Sequence, residues 1–111
     1  MNHSTVTVTE AAALAATPAG WQERHVLRAL GRMTAGCLRL ELPDGSGRVI
    51  GTPGSDITAT LRIRNDAFFQ KVVLFGDVGF GESYVDGDWD TDSIERVIAW
   101  AILNLDNTPA L

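Results

Sequence analysis

The chain has 111 residues, 45% of them hydrophobic and 21% charged, a composition typical of one globular domain and not of a disordered chain. Cys37 is the only cysteine, which excludes an internal disulfide, and no run approaches the ~20 apolar residues that span a bilayer. Residues 1–76 hold eight Arg or Lys and six Asp or Glu, whereas residues 77–111 hold one Arg and eight Asp or Glu. The acidic C-terminal third disfavours nucleic-acid binding, and any binding of anionic lipid is expected to use the basic first two-thirds.

The first predicted element is an amphipathic helix that follows a flexible N-terminal tail. Residues 1–20 are rich in Thr and Ala and end in Pro-Ala-Gly, which predicts the tail. Residues 21–33 place apolar side chains at helical spacing. Three arginines recur every four residues on another face of this helix: Arg24, Arg28 and Arg32. They fit a solvated charged face or, alternatively, a basic stripe for phospholipid head groups.

Alternating apolar and polar residues predict strands in the next part of the chain. Leucines alternate with polar residues over 38–42, and the turn Pro43-Asp44-Gly45 leads to a short returning strand over 48–51. Residues 57–64 alternate in the same way and form the clearest strand. The pattern predicts a small antiparallel sheet.

Two further helices are predicted, one on each side of a glycine-rich run. Residues 67–75 are short and strongly apolar, and Gly76 stands where a helix C-terminal glycine belongs. The run Gly76–Trp89 contains four glycines and is predicted to be an irregular junction. Asp92 begins a capping-box pattern, behind which apolar residues keep helical spacing to Leu105. The order of elements predicts an α+β domain over 21–107, with the small antiparallel sheet covered by helices on one side.

No residues form a credible catalytic or metal-binding set. Aspartates recur every two residues from 86 to 92, but a calcium loop starting at Asp86 would need glycine where Thr91 stands and glutamate where Val97 stands. Turn and capping roles are therefore favoured for these aspartates. Gly79-Phe80-Gly81 lacks the third glycine and the strand–helix frame of a nucleotide-binding loop.

Two groups of residues have both a structural and a functional interpretation. Glu82, Ser83 and Tyr84 either fix a turn or form a docking surface for a second domain or a lipid chain. Phe68 and Phe69 are core residues by default, and alternatively line a cavity that accepts lipid.

Three segments carry a family resemblance: GCLRLELPDG, then ITATLRIRND, then FFQKVVLFGDVGFGESYVDGDWDTDSIERVIAWAILN. Together they resemble the N-terminal domain of the cyclopropane-fatty-acyl-phospholipid synthase family over about residues 21–107. These are bacterial S-adenosylmethionine-dependent methyltransferases that modify acyl chains of membrane phospholipids. A weaker likeness is to sterol-carrier-like lipid-binding folds.

The resemblance implies a non-catalytic domain that helps present a phospholipid acyl chain and docks on the catalytic domain. In the family the cofactor domain and catalytic residues lie C-terminal to this region, so no catalytic, cofactor-binding or metal residue is assigned, and S-adenosylmethionine is expected only in the full-length protein. The candidates for domain docking or lipid contact are Gly76, Asp77, Gly79, Gly81, Glu82, Tyr84, Gly87, Trp89, Phe68 and Phe69. Arg24, Arg28 and Arg32 are the head-group candidates.

The expected partners are a C-terminal methyltransferase domain, in cis or as a separate chain, and a phospholipid surface bound peripherally. A homo-oligomer is a further option, and no nucleic acid is expected. The expected location is cytoplasmic, extending to the inner membrane face. Whether the chain is a fragment or a free-standing domain stays open, and the alternative function is a stand-alone structural or dimerisation module without ligand.

Overall fold

The computed structural model describes residues 19–107, which form an α+β domain as predicted. The elements in chain order are α1 (Ala19–Leu30), β1 (Cys37–Glu41), β2 (Gly47–Gly51), β3 (Thr58–Ile63), α2 (Ala67–Val85), β4 (Trp89–Asp90), α3 (Ile94–Leu103) and a 3₁₀ turn (Leu105–Asn107). Helix α1 starts two residues before the predicted domain boundary. The rest of the predicted tail, residues 1–18, lies outside the described residues.

The four strands form one sheet in the order β2-β1-β3-β4, and one of its pairings corrects the sequence prediction. Strands β1 and β2 form the predicted antiparallel hairpin, but β3 lies on the other side of β1 and runs parallel to it. The loop between β2 and β3 contacts the start of β1. There the Thr52 amide donates to the Gly36 carbonyl, and the Cys37 amide donates to the Ile57 carbonyl. The alternation of residues indicates which side chains face the core, but it does not indicate which strand is the neighbour.

One apolar core joins the sheet to the helices. Its strand residues are the inward-facing members of β1 and β3, including Leu38 and Leu61, both fully buried. Helix α1 contributes Val26 and α2 contributes Phe68. Each such side chain contributes about 1.5–3 kcal/mol when it is fully buried, so this core is the main term that stabilises the fold.

The glycine-rich run is largely helical, which corrects the predicted irregular junction. Helix α2 continues through it to Val85, with a sharp kink at Gly76, whose φ of 55° and ψ of −128° are not helical. A Cβ on Gly79 would lie 2.0 Å from the carbonyl oxygen of Lys71. Residues eight apart in a continuous helix are separated by about 12 Å along the axis, so the second half of α2 turns back against the first half.

Helix α3 covers the edge of the sheet beside β3. Strand β4 pairs with only the last two residues of β3, and α3 then runs back along the remainder of that strand. Its start is marked by Ser93, which accepts from the Arg96 amide at 3.3 Å, so the N-cap is one residue later than predicted. Its end is held by Asn104, whose side chain bonds both the amide and the carbonyl of Ala35, just before β1. The helix therefore shields strand edge that would otherwise be free to pair with another chain.

Candidate functional site

Four of the ten candidate docking or lipid-contact residues are buried in the domain. They are Phe68, Phe69, Gly79 and Trp89. The two phenylalanines are each 1% exposed and pack edge to face in the core, with ring centroids 5.3 Å apart. They belong to the core, so neither presents a surface to a second domain.

Trp89 holds the second half of α2 against the sheet. Its indole N–H donates to the Phe80 carbonyl at 2.9 Å, and the Phe80 ring stacks on the indole with centroids 4.6 Å apart. The ring of Tyr84 lies 4.8 Å from the same indole. These aromatic contacts explain why residues 77–85 are helical despite their glycines, because tertiary packing supplies most of the stability of a protein helix.

The remaining candidates lie at the surface or at the edges of α2. Gly76 is half-buried at the kink, and Gly87 is exposed in the turn before β4. The other candidates are exposed on the second half of α2: Asp77, Gly81, Glu82 and Tyr84. Three apolar side chains of α2 are 57–83% exposed: Phe75 just before the kink, and Val78 and Val85 after it. We call these three residues the α2 patch.

The recurring aspartates are partners of basic side chains. Lys71 Nζ donates to Asp86 at 2.7 Å and to the buried Asp88, which also accepts from Asn65. Burial raises the pKa of Asp88, but the hydrogen bonds from Lys71 and Asn65 and the charge of Lys71 outweigh burial and hold the pKa below its ordinary value. An ionised carboxylate fixed in this way is a structural element and not an available acid or base.

A second ion-pair group joins the ends of β3 and β4. Hydrogen bonds from Arg64 and Arg62, both 2.6 Å long, outweigh burial and lower the pKa of Asp90. Arg62 also reaches Asp92 at 2.9 Å. These arginine–aspartate pairs were not predicted, because their partners are 26 to 30 residues apart and come together only through the pairing of β3 with β4. Within residues 19–107 no group of three or more His, Cys, Asp or Glu is arranged to hold a metal ion.

Helix α3 exposes an apolar stripe opposite its buried face. Val97 and Trp100 pack into the core. On the other side four large side chains at i, i+4, i+8 and i+11 are 37–68% exposed: Ile94, Ile98, Ile102 and Leu105. We call these four residues the α3 stripe. The helical spacing of apolar residues predicted that Ile94, Ile98, Ile102 and Leu105 would be buried. The segment has more apolar residues than the core can cover, so these four remain exposed.

The head-group candidates are exposed, and a second basic site was not predicted. Arg24 and Arg28 lie on the outer face of α1 and Arg32 just after it, and none forms an ion pair with another described residue. The second site is a cleft of about 290 Å³ on the polar face of the sheet, here called the sheet cleft. It is lined by Arg39, Thr58, Thr60, Asp92, Ser93 and Arg96. In the sequence, this cleft was indicated only by the outward-facing polar residues of the alternating strands β1 and β3.

Comparison with known proteins gives partial matches to two synthases. The chain is 43% identical over 37 residues to the cyclopropane-fatty-acyl-phospholipid synthases of Escherichia coli K12 and of Escherichia coli O6:H1. The match covers 33% of this chain and 10% of the length of each synthase. It agrees with the family resemblance of the sequence over that segment.

No family model and no solved structure matches the chain. The likeness to sterol-carrier folds therefore stays a prediction. Among residues 19–107, no helix has the length and apolar character that a membrane crossing requires.

Proposed function

We propose that this chain is a non-catalytic N-terminal domain of a cyclopropane-fatty-acyl-phospholipid synthase-like methyltransferase. It docks on the catalytic domain and helps to present a phospholipid acyl chain to it. The partial match to the two synthases supports the family.

The α3 stripe is the observation that carries the docking proposal. Three isoleucines of α3 and Leu105 of the following 3₁₀ turn form an exposed apolar surface, and such surfaces on folded domains mark protein or membrane contacts. The helix itself is held rigidly, because Val97 and Trp100 pack in the core and Asn104 bonds to Ala35. A pre-ordered apolar surface loses little conformational entropy on docking, which favours binding.

The α2 patch and the arginines of α1 support the lipid part of the proposal. Phe75, Val78 and Val85 offer apolar side chains to an acyl chain, and Arg24 and Arg28 offer cations to a head group. S-adenosylmethionine would be bound by the catalytic domain, and no residue of this chain is assigned to it. The proposed location is the cytoplasm, at the inner face of the membrane.

Calorimetric titration against the methyltransferase domain of the synthase from the same genome tests the docking. The full chain should bind saturably, and Ile98→Glu with Ile102→Glu should weaken binding at least tenfold, because two charges would be buried in an apolar contact. Val49→Glu is the matched control, since Val49 is 57% exposed on β2 and outside the α3 stripe. Equal binding by the stripe variant and the control would contradict the proposal.

The alternative, a dimerisation module without ligand, would use the same stripe for a second copy of the chain. Light scattering of the wild type and of the Ile98→Glu, Ile102→Glu variant distinguishes the two functions. A dimer that the variant abolishes, with no binding to the methyltransferase domain, would favour the alternative. A monomeric wild type that binds the methyltransferase domain supports the function proposed here.

A further inference from the structure

We propose that the sheet cleft binds a phosphate group, with Arg39 and Arg96 as its cationic ligands. The floor of the cleft comes from β1 and β3, where Arg39 and Thr60 are register partners and therefore stand side by side on the same face of the sheet. The wall comes from the start of α3, which supplies Ser93 and Arg96. Three separate elements of the core thus bring these side chains together.

The cleft presents hydrogen-bond donors that have no acceptor within the described chain. Neither Arg39 nor Arg96 forms an ion pair with another described residue, and the Thr60 hydroxyl has no hydrogen-bond partner there. Ser93 Oγ accepts from the Arg96 amide, so its O–H remains free to donate. Thr58 differs, because its hydroxyl already donates to the Ser55 carbonyl at 2.9 Å.

The charge of the cleft favours an anion although the chain carries a net charge of −5. Asp92 is the one acidic residue of the lining, and its carboxylate lies 2.9 Å from Arg62 Nη1 outside the cleft lining. Arg62 pairs with Asp90 as well as with Asp92, and the lining itself has two guanidinium groups, on Arg39 and Arg96, against one carboxylate. The local electrostatic potential at a site depends on the charges near it, so a cationic cleft can attract anions although the protein as a whole is acidic.

Phosphate fits these donors better than a carboxylate. Two guanidinium groups and two hydroxyls offer more N–H and O–H donors than two carboxylate oxygens accept. Inorganic phosphate has four oxygens and a phosphate monoester has three that are not esterified, and phosphate pairs with arginine in a bidentate manner. The volume of about 290 Å³ is near the lower end of ligand pockets, which run from about 300 to 1,000 Å³. The cleft therefore suits a phosphate with a small esterified group, either a soluble phosphate ester or a lipid head group. The lipid source rests on the function proposed above.

The first arm of the test uses a soluble probe. Inorganic phosphate is titrated into the ¹⁵N-labelled full chain at constant ionic strength, and amide shifts are followed by NMR. We expect saturable shifts centred on Thr58, Thr60, Ser93 and Arg96, lost in Arg39→Gln with Arg96→Gln. The control Arg48→Gln with Arg64→Gln removes the same number of charges from exposed residues outside the cleft lining and should bind like wild type. Asp92→Asn removes the rim anion and should tighten binding about two- to fivefold.

The second arm uses vesicles that contain phosphatidic acid, whose head group is a phosphate monoester, and measures their co-sedimentation with the same variants. Loss of both phosphate and vesicle binding in the cleft variant identifies a lipid head group as the source. Loss of phosphate binding without any vesicle binding by wild type supports a soluble phosphate ester, and it refutes the lipid part of the proposed function while the cleft stands. Phosphate shifts that persist in the cleft variant, or that are equally lost in the Arg48→Gln, Arg64→Gln control, would overturn the proposal.

Discussion

Replacing Gly79 with alanine tests whether α2 really turns back on itself. The new Cβ would lie 2.0 Å from the Lys71 carbonyl oxygen and 2.6 Å from its carbon, and both atoms belong to backbone. Ordinary contact begins at 3.4 Å, so the two halves of α2 would have to separate by about 1.4 Å. Phe80 lies on the same half of α2 as Gly79, so a shift of that size would disturb the packing of the Phe80 ring on Trp89.

Overpacking of this kind typically costs about 1–3 kcal/mol and occasionally more. The obstacle at Gly79 is a backbone carbonyl that cannot rotate away, which places Gly79→Ala at the upper end, about 3 kcal/mol. Gly81→Ala is the matched control two residues later. A Cβ on Gly81 meets nothing within 4 Å, so the alanine should stabilise the helix by about 0.5–1 kcal/mol. The two substitutions are chemically identical and should change the free energy of unfolding in opposite directions.

Urea denaturation followed by tryptophan fluorescence and by far-ultraviolet circular dichroism measures both variants. Coincident transitions would establish two-state unfolding and allow the free energies to be compared. If Gly79→Ala is as stable as Gly81→Ala, the close approach to Lys71 does not exist, and the account of the glycine-rich run as a kinked helix is refuted.

Two further predictions concern stability. Asn104→Ala removes the hydrogen bonds that join α3 to Ala35 and leaves the half-buried amide and carbonyl of Ala35 unpaired. Chemical denaturation should show that the free energy of unfolding falls by about 2–4 kcal/mol, against less than about 1 kcal/mol for the control Asn107→Ala. Equal losses in the two variants would contradict this role of Asn104. Asp88 has a lowered pKa in the folded state, so its ion pair with Lys71 stabilises the fold above about pH 4 and is lost as the pH falls through the folded pKa. Asp88→Asn should therefore flatten the decline of unfolding free energy below about pH 4 in urea titrations at several pH values, and an unchanged decline would exclude Asp88 as a contributor.

Local periodicity predicted the elements that a single pattern determines. The alternation over 57–64 and the helical spacing behind Ser93 correspond to β3 and α3. The parallel pairing of β1 with β3 could not be predicted, because it depends on which edge of β1 the six-residue loop reaches. Sequence patterns determine the face of a strand, whereas topology determines its neighbour.

The candidate sites were harder to predict because they depend on distant residues. The helical state of residues 77–85 follows from contacts with Trp89 and Lys71, which outweigh the low helix propensity of glycine. The α3 stripe and the buried face of α3 both consist of apolar residues. Only the position of the core determines which of them is buried. The sheet cleft combines β1, β3 and α3, so no local motif marks it.

Hydrogen–deuterium exchange of the full chain, with and without the methyltransferase domain, tests the docking claim most directly. The account predicts that amides of Ile94–Leu103 become protected when the domain is added, and that amides of β2 do not change. Protection confined to β2, or identical exchange in the presence and absence of a saturating methyltransferase domain, would contradict it.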